Sequence, residues 1–149
     1  MTRPLILVTN DDGIDAAGIG ALSRAMEPLG EVWVVAPANE QSAVSSAISL
    51  RHPLRVWKRG ERRLAVSGTP TDCVYIALNH LLKRRPTICV SGINHGANLS
   101  EDVIYSGTVA GAIEATICDI PALAFSFAGR GGFDFSAAEA HARRIVEVF

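Results

Sequence analysis

Leu5-Ile6-Leu7-Val8-Thr9-Asn10-Asp11-Asp12-Gly13 is the stretch that decides the fold. A short continuous apolar run that ends in amide and carboxylate side chains fits a parallel strand buried on both faces. Val32-Trp33-Val34-Val35 repeats the pattern. Ile88-Cys89-Val90 and Leu123-Ala124-Phe125 repeat it again, each after a proline (Pro86, Pro121) that favours an extended entry and resists helix continuation. Between the first two runs, Ile19, Leu22, Met26 and Leu29 recur at helical spacing. The result is a strand, helix, strand unit of the length a right-handed crossover needs.

Thr69-Pro70-Thr71-Asp72 reads as a helix start, with Thr69 as N-cap, Pro70 at the first helical position and Asp72 as the acidic third residue. That helix is expected to run through Val74, Ala77, Leu78 and Leu81. Before it, Leu54 to Lys58 and Leu64 to Ser67 flank a charged, glycine-containing turn, which predicts an antiparallel hairpin. Ser136 is expected to cap a last helix through Ala140, Ile145 and Val148. Phe149 ends that helix with no Gly, Asn or Pro stop signal, so the sequence reads as cut rather than finished.

The chain has 149 residues, and a length near 150 sustains one hydrophobic core, so residues 1–149 are expected to form a single domain. Lys and Arg number 14 against 15 Asp and Glu, a formal net charge of −1 that supplies no general field for a phosphate backbone. Stable nucleic-acid binding is therefore not expected. The three cysteines, Cys73, Cys89 and Cys118, form neither a paired framework nor a Cys/His array, which fits a reducing compartment. With no signal-peptide core and no apolar run of the roughly 18 residues that cross a bilayer, the protein is expected to be cytoplasmic and free of the membrane.

Candidate chemistry gathers where the strands end. Asn10-Asp11-Asp12-Gly13 follows the first strand, and in open α/β sheets ligands sit beyond the carboxyl ends of the strands. Two adjacent carboxylates there repel unless a cation offsets them, and a hard ion such as Mg²⁺ or Mn²⁺ takes oxygen ligands of this kind. The tetrapeptide equally suits an Asx-type turn with solvated acids. Ser91-Gly92-Ile93-Asn94-His95-Gly96-Ala97-Asn98 follows the third strand and opens on the same rim, offering neutral oxygens and amide donors. Its alternative is a glycine-rich loop without a ligand. Tyr105-Ser106-Gly107-Thr108 leads into the alanine-rich helix Val109 to Ala115, whose first amides and adjoining hydroxyls would make an anion site. Ser106 could also be an N-cap and nothing more. Ser42, after the second strand, is a further oxygen donor on that rim. There is no GxxxxGK[ST] loop, no GxGxxG after the first strand and no GxSxG elbow, and His52, His80, His95 and His141 lack metal-ligand spacing. Arg62-Arg63 and Lys83-Arg84-Arg85 read as solvated turns or helix ends.

Taken together, Leu7 to Ile14, Ser67 to Val74, Ser91 to Leu99 and Glu101 to Thr108 resemble the SurE family of survival-protein nucleotidases, over about residues 5–127. The resemblance implies a three-layer α/β/α Rossmann-like fold with a mostly parallel sheet. It also implies a metal-dependent phosphomonoesterase acting on nucleoside 5′- and 3′-monophosphates, with short polyphosphate as a further substrate. Carried over position by position, the family's metal ligands fall on Asp11, Asp12, Ser42 and Asn94, for one Mg²⁺ or Mn²⁺ per subunit. Its phosphate-contacting residues fall on Asn98, Ser106, Gly107 and Thr108, and Asn10 is added to that set. Asp11, Asp12, Asn98 and Ser106 are the candidate catalytic residues. Ala43 stands where the family usually has glycine, and Glu40 where it has a basic residue nearby. Members typically carry a further C-terminal region that joins subunits into dimers or tetramers. The alternative expectation is therefore a metal- and nucleotide-binding fragment with little turnover.

Overall fold

The computed structural model describes residues 3–129, 132 and 134–149. The elements are β1 (Leu5–Thr9), α1 (Ala17–Met26), β2 (Glu31–Pro37), β3 (Val56–Gly60), β4 (Arg63–Val66), α2 (Pro70–Ile76), β5 (Ile88–His95), α3 (Asp102–Tyr105), α4 (Gly107–Ile117), β6 (Ala122–Phe127) and α5 (Ser136–Val148). The strands form one six-stranded sheet in the order β3-β4-β2-β1-β5-β6. Only β3 and β4 pair antiparallel; the other neighbours are parallel.

Side chains that alternate along the central strands divide the core into two halves. Ile6, Val8, Val34, Ile88 and Val90 face one side, where α1 supplies Ile19, Leu22 and Met26 and α5 supplies Ala142. Leu7, Val35 and Cys89 face the other, against Cys73 and Val74 of α2 and Ala115 of α4. Helices thus cover both faces, giving the expected three-layer α/β/α fold. Among the described residues no helix is long and apolar enough to cross a membrane.

The helix start at residue 69 forms as its chemistry requires. The Thr69 hydroxyl accepts from Asp72 N (3.1 Å) while Asp72 Oδ2 accepts from Thr69 N (2.9 Å), a reciprocal capping box with Pro70 at the first position. Regular α-helix stops at Ile76, and Ala77–Leu81 continues as one π-helical turn. Two expectations are corrected. The strand expected over residues 88–90 runs on to His95, so Ser91 to Asn94 lie in β5 rather than in a loop. Ser136 does not cap the last helix; Phe135 occupies that position without a side-chain cap, and Asp134 Oδ1 accepts from Ser136 N (2.9 Å). An aspartate two residues upstream had taken the role that the serine pattern suggested.

Candidate metal and phosphate site

At the carboxyl ends of β1, β2 and β5, a cavity of about 350 Å³ opens between the loop after β2 and the start of α4. Asp11, Asp12, Ser42, Asn94, Asn98 and Ser106 all line it, so the parallel sheet gathers residues separated by up to 95 positions in the sequence. Asn10, Gly107 and Thr108 do not. All three are buried: the Asn10 side chain donates to Gly13 O (2.8 Å) and shapes the turn, Gly107 lies against Asp11, and Thr108 Oγ1 donates to Asp11 Oδ1.

The segments are held together by backbone as much as by side chains. Gln41 N donates to Asp11 O (2.7 Å) and Ile14 N to Pro37 O (2.8 Å), which locks the β1 turn to the chain leaving β2. The segment carrying Ser42 is then fastened at both ends. Ser45 N donates to Tyr105 O (3.0 Å) and Ser45 Oγ to Ile104 O (2.9 Å). Ser49 donates to Asp72 through its amide (2.8 Å) and its hydroxyl (2.7 Å), and Thr69 Oγ1 donates to Ala47 O (2.6 Å). Asp72 is thus more than a helix-capping residue, a role that local sequence pattern could not reveal because Ser49 lies 23 positions away.

Small residues bring α4 onto the strands. A Cβ at Gly111 would stand 2.9 Å from Thr9 Cγ2 and 3.2 Å from Ser91 Oγ, and one at Gly107 would stand 2.7 Å from Asp11 Cβ. The helix can approach this closely only where side chains are absent. Ser106 caps it by accepting from Val109 N (3.2 Å), which leaves the hydroxyl proton available on the cavity side. Asn98 is held from β6, donating to Ser126 Oγ (2.7 Å).

The cavity is acidic. Among the described residues Asp11, Asp12, Glu40 and Asp102 line it, and no Lys or Arg does. Nor does any ion pair among the described residues reach these four acids. Asp11 is only 5% exposed, and burial raises its pKa above the ordinary value; the adjacent Asp12 charge raises it further, while hydrogen bonds from Thr108 oppose the rise. Asp12 Oδ2 accepts from His95 N (3.0 Å), Asn94 Nδ2 donates to Gly96 O (2.9 Å), and Ser42 Oγ donates to Glu40 Oε1 (2.6 Å). In Asn94 this leaves the side-chain carbonyl oxygen as an acceptor. His95 and Tyr105, from the two quoted rim segments, line the cavity too, and Glu40 and Asp102 join them without having been candidate site residues.

The donor set fits a hard divalent cation. Among the described residues no three His, Cys, Asp or Glu side chains are clustered to hold a metal by themselves. Two carboxylates with neutral hydroxyl and amide oxygens are instead what Mg²⁺ or Mn²⁺ accepts, with waters or phosphate filling the remaining positions.

A family model described as Survival protein SurE matches residues 6–149. The chain belongs to the SurE family. It is 58% identical over 142 residues to a 5′-nucleotidase SurE of Myxococcus xanthus, covering 95% of this chain and 54% of that one. It is 60% identical over 124 residues to the 5′-nucleotidase SurE of Gemmatimonas aurantiaca, covering 83% and 49%. A crystal structure of a SurE protein from Aquifex aeolicus superposes with a TM-score of 0.93 at 41% identity, covering 97% of this chain and 59% of that one. This SurE chain therefore spans about half the length of the curated relatives it matches.

Proposed function

We propose that this chain is the catalytic part of a metal-dependent phosphomonoesterase that hydrolyses nucleoside monophosphates. One observation carries the reading: among the described residues the cavity is lined by four acids and no Lys or Arg, so a phosphate dianion entering beside them calls for a cation. The relatives named as 5′-nucleotidases support the substrate class. Asp11, Asp12, Ser42 and Asn94 would hold the ion. Mg²⁺ or Mn²⁺, when bound, supplies Lewis acidity and the positive charge that offsets the phosphoryl oxygens.

The chain's own residues do the rest. Asn98 and the Ser106 hydroxyl hold phosphate oxygens by donation, and the Gly107 amide, at the first position of α4, has no acceptor within the helix. Fixed donors of this kind favour a transition state in which charge spreads over the equatorial oxygens. Asp11 and Asp12 orient what lies between them and the phosphate. Their placement beside the phosphate donors makes in-line attack by water the economical route. The same reading extends to 3′-monophosphates and short polyphosphate as further substrates. It extends also to a cytoplasmic location, which the free thiols Cys73, Cys89 and Cys118 suit.

Release of inorganic phosphate from AMP and GMP, with Mn²⁺, Mg²⁺ or EDTA, tests this directly in the parent chain and in Asp11→Asn. Metal-dependent turnover that the substitution abolishes, with the circular dichroism spectrum retained, is the expected result. Because the chain spans half of its relatives, a binding domain without turnover is the second reading. It predicts that AMP raises the melting temperature only when Mn²⁺ is present, while no phosphate is released.

A further inference from the structure

Thr108 adjoins the phosphate-facing residues in sequence, yet its side chain is wholly buried and absent from the cavity lining. Its hydroxyl donates to Asp11 Oδ1. A hydroxyl has one proton to donate, so the proton committed to Asp11 is not available to a phosphate oxygen. The surroundings leave Asp11 little freedom to turn away. Gly107 lies so close that an added Cβ would stand 3.0 Å from Asp11 Oδ2, and Gln41 N holds the Asp11 carbonyl at 2.7 Å.

We propose that Thr108 is a positioning residue for Asp11 and not a phosphate ligand, fixing the carboxylate in the orientation from which it meets the divalent cation. The inference rests on the metal-site reading given above. With Oδ1 tied to Thr108, rotation about the Asp11 side-chain bonds breaks a buried hydrogen bond. The carboxylate is therefore already oriented before the ion arrives. Hydrogen-bond partners behind a ligating side chain typically contribute about 10–100-fold to metal affinity. The α4 N-terminus thereby serves two ends at once: Ser106 faces the cavity, while Thr108, two steps along, turns into the protein and holds Asp11.

The test is Mn²⁺ binding without substrate, followed by the electron paramagnetic resonance signal of free Mn²⁺, in the parent, Thr108→Val and Thr108→Ser. Thr108→Val keeps the shape and removes the donor, so its Mn²⁺ dissociation constant is expected to rise at least about 10-fold. Thr108→Ser restores the hydroxyl and is expected to stay within about 3-fold of the parent on the same scale. At saturating Mn²⁺ the KM for AMP should be nearly unchanged in both. Thr108→Ala reads the same loss of the donor should the valine variant fail to fold. Unchanged Mn²⁺ affinity with a raised KM would make Thr108 a phosphate ligand and overturn the proposal. Equal loss in the serine and valine variants would reduce it to a packing residue, which also overturns it. A parent that binds no Mn²⁺ refutes the metal-site reading itself, whereas a parent that binds and a valine variant that binds equally refute only the role of Thr108.

Discussion

Replacing Asp72 with asparagine probes the anchor that joins the α2 cap to the segment carrying Ser42. The carboxylate is 1% exposed and accepts from Ser49 N (2.8 Å), Ser49 Oγ (2.7 Å) and Thr69 N (2.9 Å). Asparagine has one acceptor oxygen in place of two, so whichever way it is turned, its NH₂ faces a backbone N–H. Facing it toward Ser49 N strands that amide; facing it toward Thr69 N strands the other, although Ser49 Oγ can reverse and accept. One stranded donor costs about 1–3 kcal/mol. The bonds that survive also lose their ionic partner, and charge-assisted bonds are roughly twice as strong as neutral ones. Ser49 is itself exposed, so water recovers part of the loss. The net expectation is about 1.5–3 kcal/mol, a large part of the 5–15 kcal/mol typical of a domain. For a chain of this size that corresponds to a fall in melting temperature of roughly 3–12 °C. Urea unfolding followed by circular dichroism measures the first figure, and a thermal melt the second. Mn²⁺ affinity should fall in the folded variant as well, because the loop that presents Ser42 loses its anchor at Ser49 while keeping the one at Ser45. A stability change below about 0.5 kcal/mol, within the range of ordinary surface substitutions, would refute the assignment of Asp72 as that anchor.

Three further outcomes follow from the geometry. Burial raises the Asp11 pKa in the folded state, so the folded chain bears a charging penalty that is absent below the unfolded value near about 4, grows as pH rises from there to the raised folded value, and stays constant above it. Metal-free Asp11→Asn should therefore melt at or above the parent at pH 7.5 and converge with it on acidification, and a lower melting temperature at pH 7.5 in EDTA would contradict this. Gly107→Ala places a methyl 2.7 Å from Asp11 Cβ, and a displacement of about 1 Å at a reacting centre can cost about 100-fold in rate. Phosphate release should drop on that scale in Gly107→Ala and stay at the parental level in Gly132→Ala, where an added Cβ meets nothing within 4 Å among the described residues. Burial pushes the Cys89 thiol up to about 12 and raises that of Cys73, whereas Cys118 is less enclosed. One thiol should thus react with an aromatic disulfide in the native state and all three in urea, and fast native labelling of three would refute the packing.

Local chemistry made several elements readable from the sequence. Leu5 to Val8 and Val32 to Val35 are strands because they are apolar on both faces, and both faces of the sheet are covered. Thr69, Pro70 and Asp72 close a capping box because its partners lie three residues apart. The rim position of Asp11 and Asp12 follows from a strand that ends at Thr9, and the four family motifs appear in order along the chain. Other features depend on contacts between residues far apart, which no short pattern records. Only the tertiary structure turns Thr108 toward Asp11, sets Asp72 against Ser49 and buries Asn10 in its own turn. Only packing adds Glu40 and Asp102 to the cavity. The reason is one of range: capping, turn chemistry and hydrophobic period act over a few residues and are written in the sequence. Which hydroxyl faces a ligand and which holds another side chain is decided by the approach of α4 to β1, 97 residues apart at Asp11 and Thr108.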